Sequence, residues 1–421
     1  MKLLNCKSWL PSGPAIALFV GVMGLNFGMA PVASATPAFS RTTGAECLKC
    51  HSASFPRLNW MGERFMRNGF ALPGEGELDL GALPEEKQQV KEKKLKNLVI
   101  KDVGNFFSVR GSFVAYDKKF QSVPEETTSV GSPSKFYLFV STQIFDNVPI
   151  WAEGEVSTNT GELEVHNYFI GRTNIASSTL FNVRMGGFTP TEWTSVSNQK
   201  RSLDSATTHQ GSYRGRNGFT QVSTGLGGKT GVEYYGYTDM FLWAVGYGDG
   251  QNFDLANPVI DDAKNQWVVG RFDFLKGSSV SLLYFNGGEF SAASGKDRIA
   301  YVLSGNYRLG SVLDLQAQYS MDNSSDYRTR DDTTGYTVQA DWTITDQWVG
   351  IVRYDTTDNG LTVRSTETQA TVAVAWLPYQ NVKLTASYAA ELDRAQFAND
   401  SATDRGEQKQ DTYRLQLQFA L

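Results

Sequence analysis

Cysteine and histidine are scarce in this chain, with three of each among 421 residues. Such low numbers exclude a disulfide-stapled scaffold and a protein built around several metal centres. Charge of one sign is lacking as well. The formal net charge is −5 and no basic stripe occurs, so nucleic acid is not an expected partner. Past the first 35 positions no long continuous apolar run is found, which rules out a bundle of membrane-spanning helices.

The amino terminus is informative. Lys2 and Lys7 precede an apolar stretch over 15–30, followed by Pro31 and the small residues Ala33, Ser34 and Ala35. That order predicts a secretory signal peptide over 1–35, with an uncleaved anchor as the alternative. Cys6 would leave with the signal, and the mature chain would keep Cys47 and Cys50.

Those two cysteines stand in the sequence Cys47, Leu48, Lys49, Cys50, His51, the C-x-x-C-H pattern of covalent c-type haem attachment. Two thiols one helical turn apart can add to the two vinyl groups of one porphyrin edge. His51, next in the chain, is then placed to serve as the proximal ligand of the iron. A thioredoxin-like dithiol would need a βαβ setting, and a zinc site would need a second Cys or His pair. The sequence offers neither, since His166 and His209 stand far off and apart. One covalent haem c is the expected cofactor. For the sixth ligand the reading points to the thioether of Met61 or Met66, with His166 a lesser alternative and packing the competing role for a methionine among aromatics. Pro56 and Gly69 bracket an expected helix on which Leu58, Met61 and Phe65 share a face able to cover a porphyrin.

The residues around this motif carry a resemblance. Pro37, Ala38, Phe39, Ser40 and Arg41, then Thr43 and Gly44, the C-x-x-C-H, then Phe55, Pro56, Arg57, Leu58 and Asn59, followed by Gly62, Phe65, Gly69 and Phe70, resemble the head of the fused outer-membrane monohaem cytochrome-porins. The likeness is specific over 37–70. It implies a single haem joined to a porin barrel and, for the iron-oxidase-type members, a ferrous-iron-oxidising oxidoreductase of cytochrome c type.

From about residue 106 the sequence repeats one unit, roughly ten residues of alternating polarity and then a turn, which is the pattern of a transmembrane β-barrel. At the end of the chain Tyr413, Leu415, Leu417, Phe419 and Leu421 alternate with Thr412, Arg414, Gln416 and Gln418. The ending resembles the terminal insertion signal of such barrels, although Leu421 rather than phenylalanine is last. A large soluble all-β protein would alternate too, but Trp267, Trp342, Trp348 and Trp376 collect at strand ends, as interfacial girdles do.

Short turns near 276–278, 309–311, 345–347 and 377–380 alternate with long loops near 249–264, 286–297, 322–334, 356–366 and 392–410. This order fixes the last ten strands and puts the carboxyl end on the short-turn side. Six earlier strands, near 106–116, 136–145, 149–157, 163–172, 180–188 and 230–237, bring the total to sixteen, an even number as bacterial barrels require. Parity assigns 219–226 to the long loop after Phe188, and by analogy that loop folds inward to narrow the pore.

The expected fold is therefore an all-β, 16-stranded antiparallel transmembrane barrel carrying a short α-helical c-type cytochrome segment at its amino end. The expected divisions are a signal peptide over 1–35, a cytochrome segment over 36–83, a charged linker over 84–105 and a barrel over 106–421. The lysine- and glutamate-rich stretch 85–96 reads as a solvated helical linker, with docking of an acidic periplasmic partner as the alternative.

Arg110, Glu153, Glu155, Glu164, His166, Arg184, Arg271, Asp273, Arg308, Asp341, Arg353 and Arg414 fall on lumen-facing positions, a wall of mixed sign without strong ion selectivity. Among the loops, Asp261, Asp262, Asp326, Asp331 and Asp332 offer hard oxygens for a ferrous ion, although Arg328 and Arg330 lie among them and ordinary solvated loops also account for them.

The functional expectation is electron transfer across the bacterial outer membrane through one haem in or at the barrel, with the segment from 36 to about 97 plugging the lumen from the periplasmic side. Expected partners are outer-membrane lipid, a periplasmic c-type cytochrome or other electron carrier, and extracellular Fe(II). No residue is expected to act by covalent catalysis. A passive porin with a haem-bearing plug, or electron export to an outside acceptor, are the alternatives.

Overall fold

The computed structural model describes residues 38–43, 45, 47–52, 57–72, 106–120, 127–129, 134–157, 163–196, 202–203, 229–249, 264–287, 298–322, 333–358, 366–379, 381–393 and 411–420. The signal peptide over 1–35, the linker over 84–105, the strand-like run 219–226, His209 and the five loop aspartates lie outside the described residues. Among the described residues three short α-helices come first: α1 (Ala38–Thr43), α2 (Cys47–Cys50) and α3 (Trp60–Arg67). The strands follow as β1 (Phe107–Phe120), β2 (Thr127–Ser129), β3 (Ser134–Phe145), β4 (Val148–Ser157), β5 (Leu163–Arg172), β6 (Asn182–Phe188), β7 (Lys229–Tyr237), β8 (Phe241–Asp249), β9 (Lys264–Leu275) and β10 (Ser278–Gly287). They continue through β11 (Arg298–Leu309), β12 (Leu313–Asp322), β13 (Thr333–Thr345), β14 (Trp348–Asp358), β15 (Thr366–Tyr379), β16 (Val382–Asp393) and β17 (Asp411–Ala420).

Each long strand pairs antiparallel with its neighbours in sequence, and β1 closes the ring between β17 and β3, with Arg110 opposite Ala420 and Phe107 opposite Val140. The three-residue β2 pairs only with Asp117, Lys118 and Lys119 of β1, so sixteen strands make the wall. Closure pairs every strand on both sides and leaves no open edge. The connections 146–147, 276–277, 310–312 and 346–347 are tight, and they share one end of the barrel with 173–181, 238–240 and Asn381. Gly277 and Gly310 take positive φ angles of 80° and 57° there, the backbone that a glycine adopts most readily.

Alternation along each strand sorts the two faces. Leu282, Tyr301, Leu303, Val338, Val352, Val372 and Val374 stand exposed on the outside. This apolar band is the surface that a bilayer requires. Trp342, Trp348 and Trp376 are also exposed outside, near the tight turns, and the rings of Trp348 and Trp376 stack at 6.0 Å.

Trp267 departs from the expected girdle. It is fully buried, and its Nε1 donates to Glu233 Oε2 at 2.7 Å. The reason is parity: Trp267 lies on the same face of β9 as Arg271 and Asp273, two and three pairs of positions further on, and all three are buried. Around it Phe188, Trp193, Tyr235, Leu242, Ala244, Val269, Leu283, Phe285, Ala300 and Val302 form an apolar cluster on the inner side of the wall. Glu233, buried within that cluster, accepts from Trp193 Nε1 at 2.6 Å, from Trp267 and from Arg184 Nε at 2.8 Å. A buried carboxylate survives when it is met in this way.

After β6 the chain turns into the lumen. The one-turn 3-10 helix Pro190–Trp193 sets Trp193 on the cluster, and Ser195 donates its backbone N–H to Ser281 Oγ at 2.7 Å on β10. Further on, Ser202 accepts from Gln339 Nε2 on β13 through its hydroxyl and from Lys383 Nζ on β16 through its carbonyl. Leu203 packs with Val349, Ile351, Ala373, Ala375, Leu377 and Ala420. The described parts of this loop thus touch walls on two sides of the interior, as an inward-folded constriction does.

The ring of Trp267 needs an opening in the neighbouring strand. Gly246 is its register partner on β8, and a Cβ there would lie 1.8 Å from the indole. Gly246→Val is expected to destabilise the barrel by about 1–3 kcal/mol through overpacking, and Trp267→Ala by about 3–5 kcal/mol. Denaturant unfolding of the purified barrel should show the double variant to be more stable than the sum of the two losses. Strict additivity would mean that the two positions do not share one space.

Candidate functional site: a C-x-x-C-H turn seated in the barrel mouth

Cys47 and Cys50 open and close the single turn of α2 and are not disulfide-bonded. His51 continues that turn, its N–H donating to Cys47 O at 2.9 Å. All three are half-buried. Burial, reinforced by the neighbouring Cys47, pushes the Cys50 thiol up to about 11. A redox-active C-x-x-C relies on the opposite, a thiol lowered into the neutral range. Two thiols one turn apart with a histidine directly after them are the donor set that attachment of a haem c calls for, so the residues present fit that group.

The turn rests on α3. Its carbonyls would be left unmet at the end of so short a helix, and one side chain meets most of them: Asn59 Nδ2 donates to Leu48 O, Lys49 O and His51 O at 3.1, 3.0 and 3.1 Å. The Asn59 backbone N–H donates to Cys50 O at 2.9 Å. On its other side Asn59 Oδ1 accepts from the N–H groups of Met61 and Gly62 and so caps α3. The helix therefore begins at Trp60 rather than near Pro56, and Leu58 instead pairs in a short bridge with His51. Gly62 lets the two elements touch, because a Cβ on it would lie 2.1 Å from Cys50 O. Asn68 and Gly69, the latter with φ 65°, end α3 as the sequence indicated.

The segment is fixed to the inner wall near the tight turns. Arg57 Nη2 meets Asp314 at 2.7 Å and Nη1 meets Asp341 at 3.0 Å, with Arg57 almost wholly buried. Arg67 pairs with Asp273 at 2.7 Å, Glu63 pairs with Arg271 at 2.5 Å, and Arg64 pairs with Asp239. Arg64 and Lys276 both lie over the Trp60 ring. Tyr235 Oη donates to Arg67 O, Tyr237 Oη and Asn174 Nδ2 donate to Asn68 Oδ1, and Gln143 Nε2 donates to Gly69 O at 2.8 Å. Deep burial together with nearby Arg271 pulls the Arg67 guanidinium below its usual range, against Asp273 and Glu63, which hold it up.

Rings complete the seat. Phe39 of α1 stacks on Phe70 at 5.0 Å and meets Phe65 edge-on, and Phe70 lies 5.6 Å from Trp151 of β4 and 6.2 Å from Phe169 of β5. Of the two methionines proposed from sequence, Met66 is packed against the apolar cluster around Trp193 and Tyr235, while Met61 sits half-buried in the first turn of α3.

Several lumen-facing residues named from sequence take part in this seat or in the wall behind it. Arg271, Asp273 and Asp341 bind the plug directly, and Arg308 backs Asp314 at 2.9 Å. Arg184 bridges Glu233 and Glu192, Arg353 bridges to Asp355, Arg110 lies over the Tyr137 ring, Glu153 accepts from Asn167, and Glu155 is buried. Arg414 aligns with Asp117 of β1. Glu164 and His166 lie in β5, their side chains outside the described set. Sequence reasoning missed Arg57, Arg64, Arg67, Asp239 and Asp314. The signal available was three arginines within eleven residues that carry one acid, Glu63, facing a barrel with acids beside its turns.

No protein-family model matches the chain, and no curated protein matches it. Solved barrels do. The anion-selective porin from Comamonas acidovorans aligns with a TM-score of 0.53 and 15% identity over 75% of this chain and 98% of that chain. Salmonella typhi OmpF, in a complex with daunomycin, aligns with a TM-score of 0.51 and 11% identity over 75% of this chain and 97% of that one. The chain shares the porin fold.

Removing Arg57 should loosen the plug. Arg57→Met leaves Asp341 buried without this guanidinium, a loss of about 3–5 kcal/mol for a broken buried pair, and Arg57→Met combined with Asp341→Asn should regain part of it. Protease digestion of the folded protein is the measurement, with faster cleavage within 38–72 in the single variant. Equal protection of the native and variant plugs would show that these ion pairs do not hold it.

Proposed function

We propose that this protein carries electrons across the bacterial outer membrane through one haem c attached at Cys47 and Cys50 and ligated by His51. The observation that carries the reading is the placement of the C-x-x-C-H turn on a segment fixed by buried ion pairs to the inner wall of a porin-fold barrel. A plain solute pore has no use for a haem there, whereas electron transfer does. The hydrocarbon band is about 25 Å tall, too thick for fast tunnelling between molecules on opposite faces, and a redox centre inside the lumen shortens both steps.

The porphyrin iron supplies the one-electron couple. The chain's own contribution is positional. Cys47 and Cys50 anchor, Asn59 holds the turn, and Arg57, Arg64, Glu63 and Arg67 lock the segment against the wall. His51 supplies the imidazole that would ligate the iron. With Met66 packed on the apolar cluster, Met61 is the thioether that would be available to hold the iron together with His51. The donor is extracellular Fe(II) and the acceptor a periplasmic cytochrome or similar carrier, with the tight-turn end of the barrel facing the periplasm, as in bacterial barrels generally.

One observation favours a second reading, a pore that also passes solutes. Along β14 to β17, Thr357, Thr371, Thr385, Thr412 and Gln418 have buried polar atoms with no hydrogen-bond partner among the described residues. Such groups are ordinarily met by water. Conductance of the purified protein in planar bilayers separates the two readings.

The decisive test is stopped-flow mixing of Fe(II) with the oxidised protein in detergent. Reduction of the haem absorption band within the mixing experiment is expected. Cys50→Ser is expected to insert as a barrel with its covalent haem lost. A haem that stays oxidised with iron while a periplasmic donor reduces it would remove the iron-oxidising role, and full haem staining of Cys50→Ser would remove the attachment site.

A further inference from the structure

Resting on the haem reading above, we infer that Asn59 is a positioning residue for the iron ligand His51. The carbonyls of residues 48 to 51 are the last four of the C-x-x-C-H turn. Asn59 reaches all of them, three lying within hydrogen-bond distance of Nδ2 and sharing its two hydrogens, and one meeting its backbone N–H. A four-residue helix holds itself together poorly. Without an outside donor these carbonyls would turn towards water, and the histidine at the end of the turn would turn with them.

Asn59 also joins two functions that can be separated chemically. Its Oδ1 caps α3 through Met61 and Gly62, and its Nδ2 clamps the turn. A carboxylate in its place keeps the capping oxygen, since aspartate caps as well as asparagine. It has no N–H to give and sets a negative charge against three carbonyl oxygens. Gly62 supports the clamp from the other side, because its missing side chain is what allows Cys50 O to approach α3. Groups that hold a metal-bound histidine in place typically cost ten- to a hundredfold in affinity or activity when lost.

The experiment compares the native holoprotein with Asn59→Asp, Asn59→Ala and Gly62→Ala. Intact mass gives haem content, gel mobility before and after heating gives barrel folding, and potentiometry and imidazole titration report on the iron. Asn59→Asp is expected to keep its barrel and its haem mass. Its midpoint potential should be displaced, and its His51–iron bond should be about tenfold more easily replaced by added imidazole. Gly62→Ala is expected to move the same two readouts in the same direction.

An Asn59→Asp protein with the native potential and imidazole titration, beside an Asn59→Ala protein that is merely less stable, would reduce Asn59 to a helix cap and overturn the inference. Absence of porphyrin mass from the native protein would overturn the haem reading itself, and the clamp's role with it, before any variant is compared.

Discussion

Two guanidinium groups taken out of water decide where the amino-terminal segment sits. Arg57 and Arg67 are each almost fully buried, and each is met by carboxylates of the barrel wall. Desolvating an arginine is costly unless its partners are close and well aimed, so these pairs admit one seat and penalise any displacement from it. Together with Arg64, and after subtracting Glu63, the segment brings two net positive charges. The wall offers Asp239, Asp273, Asp314 and Asp341 against Arg271 and Arg308, two net negative charges. These ion pairs balance, and those of Arg57, Arg67 and Glu63 do so out of reach of water, whereas Asp239 stands exposed at the edge. Specificity of position, more than stability, is what such a network supplies.

How far this could be read from the residues depends on which physical rule governed each part. The wall follows the two-residue period, and a barrel tolerates no strand that breaks it. All sixteen strands were accordingly legible, as was the even count. Trp267 shows the same rule applied too loosely. Its position near a strand end suggested an interfacial girdle, yet it shares the face of Arg271 and Asp273, both read as lumenal, and parity alone placed it inside. The start of α3 was misplaced for a similar reason. Pro56 is a general helix-start signal, but Asn59 is the residue with a capping oxygen and a glycine three places on. The acidic partners of the plug were not legible, because they lie between about 170 and 280 positions away and only closure of the ring brings them together.

The seat also explains why the inner wall is not uniformly polar, as an open channel would require. The apolar cluster on β8 to β11 faces inward, and Trp193 of the inward loop and Met66 of α3 both pack on it. Plug and loop therefore share one core. Each covers part of the surface that the other needs covered. On the opposite wall the buried hydroxyls of Thr371, Thr385 and Thr412 mark the side along which water can remain.

That division bears on the proposed electron path. Covalent attachment at Cys47 and Cys50 would tie a porphyrin to α2, Asn59 ties α2 to α3, and α3 is tied to the wall through Arg67, Glu63 and Met66. Every link in this series is short, and all but the last are local in sequence. A redox centre so held cannot swing between a donor on one side and an acceptor on the other, so transfer in the proposed reading must proceed at fixed distances, with the partners coming to it. The barrel would then act less as a conduit than as a rigid frame, its loops and tight turns setting how near an outer donor and a periplasmic acceptor can come to a site that does not move.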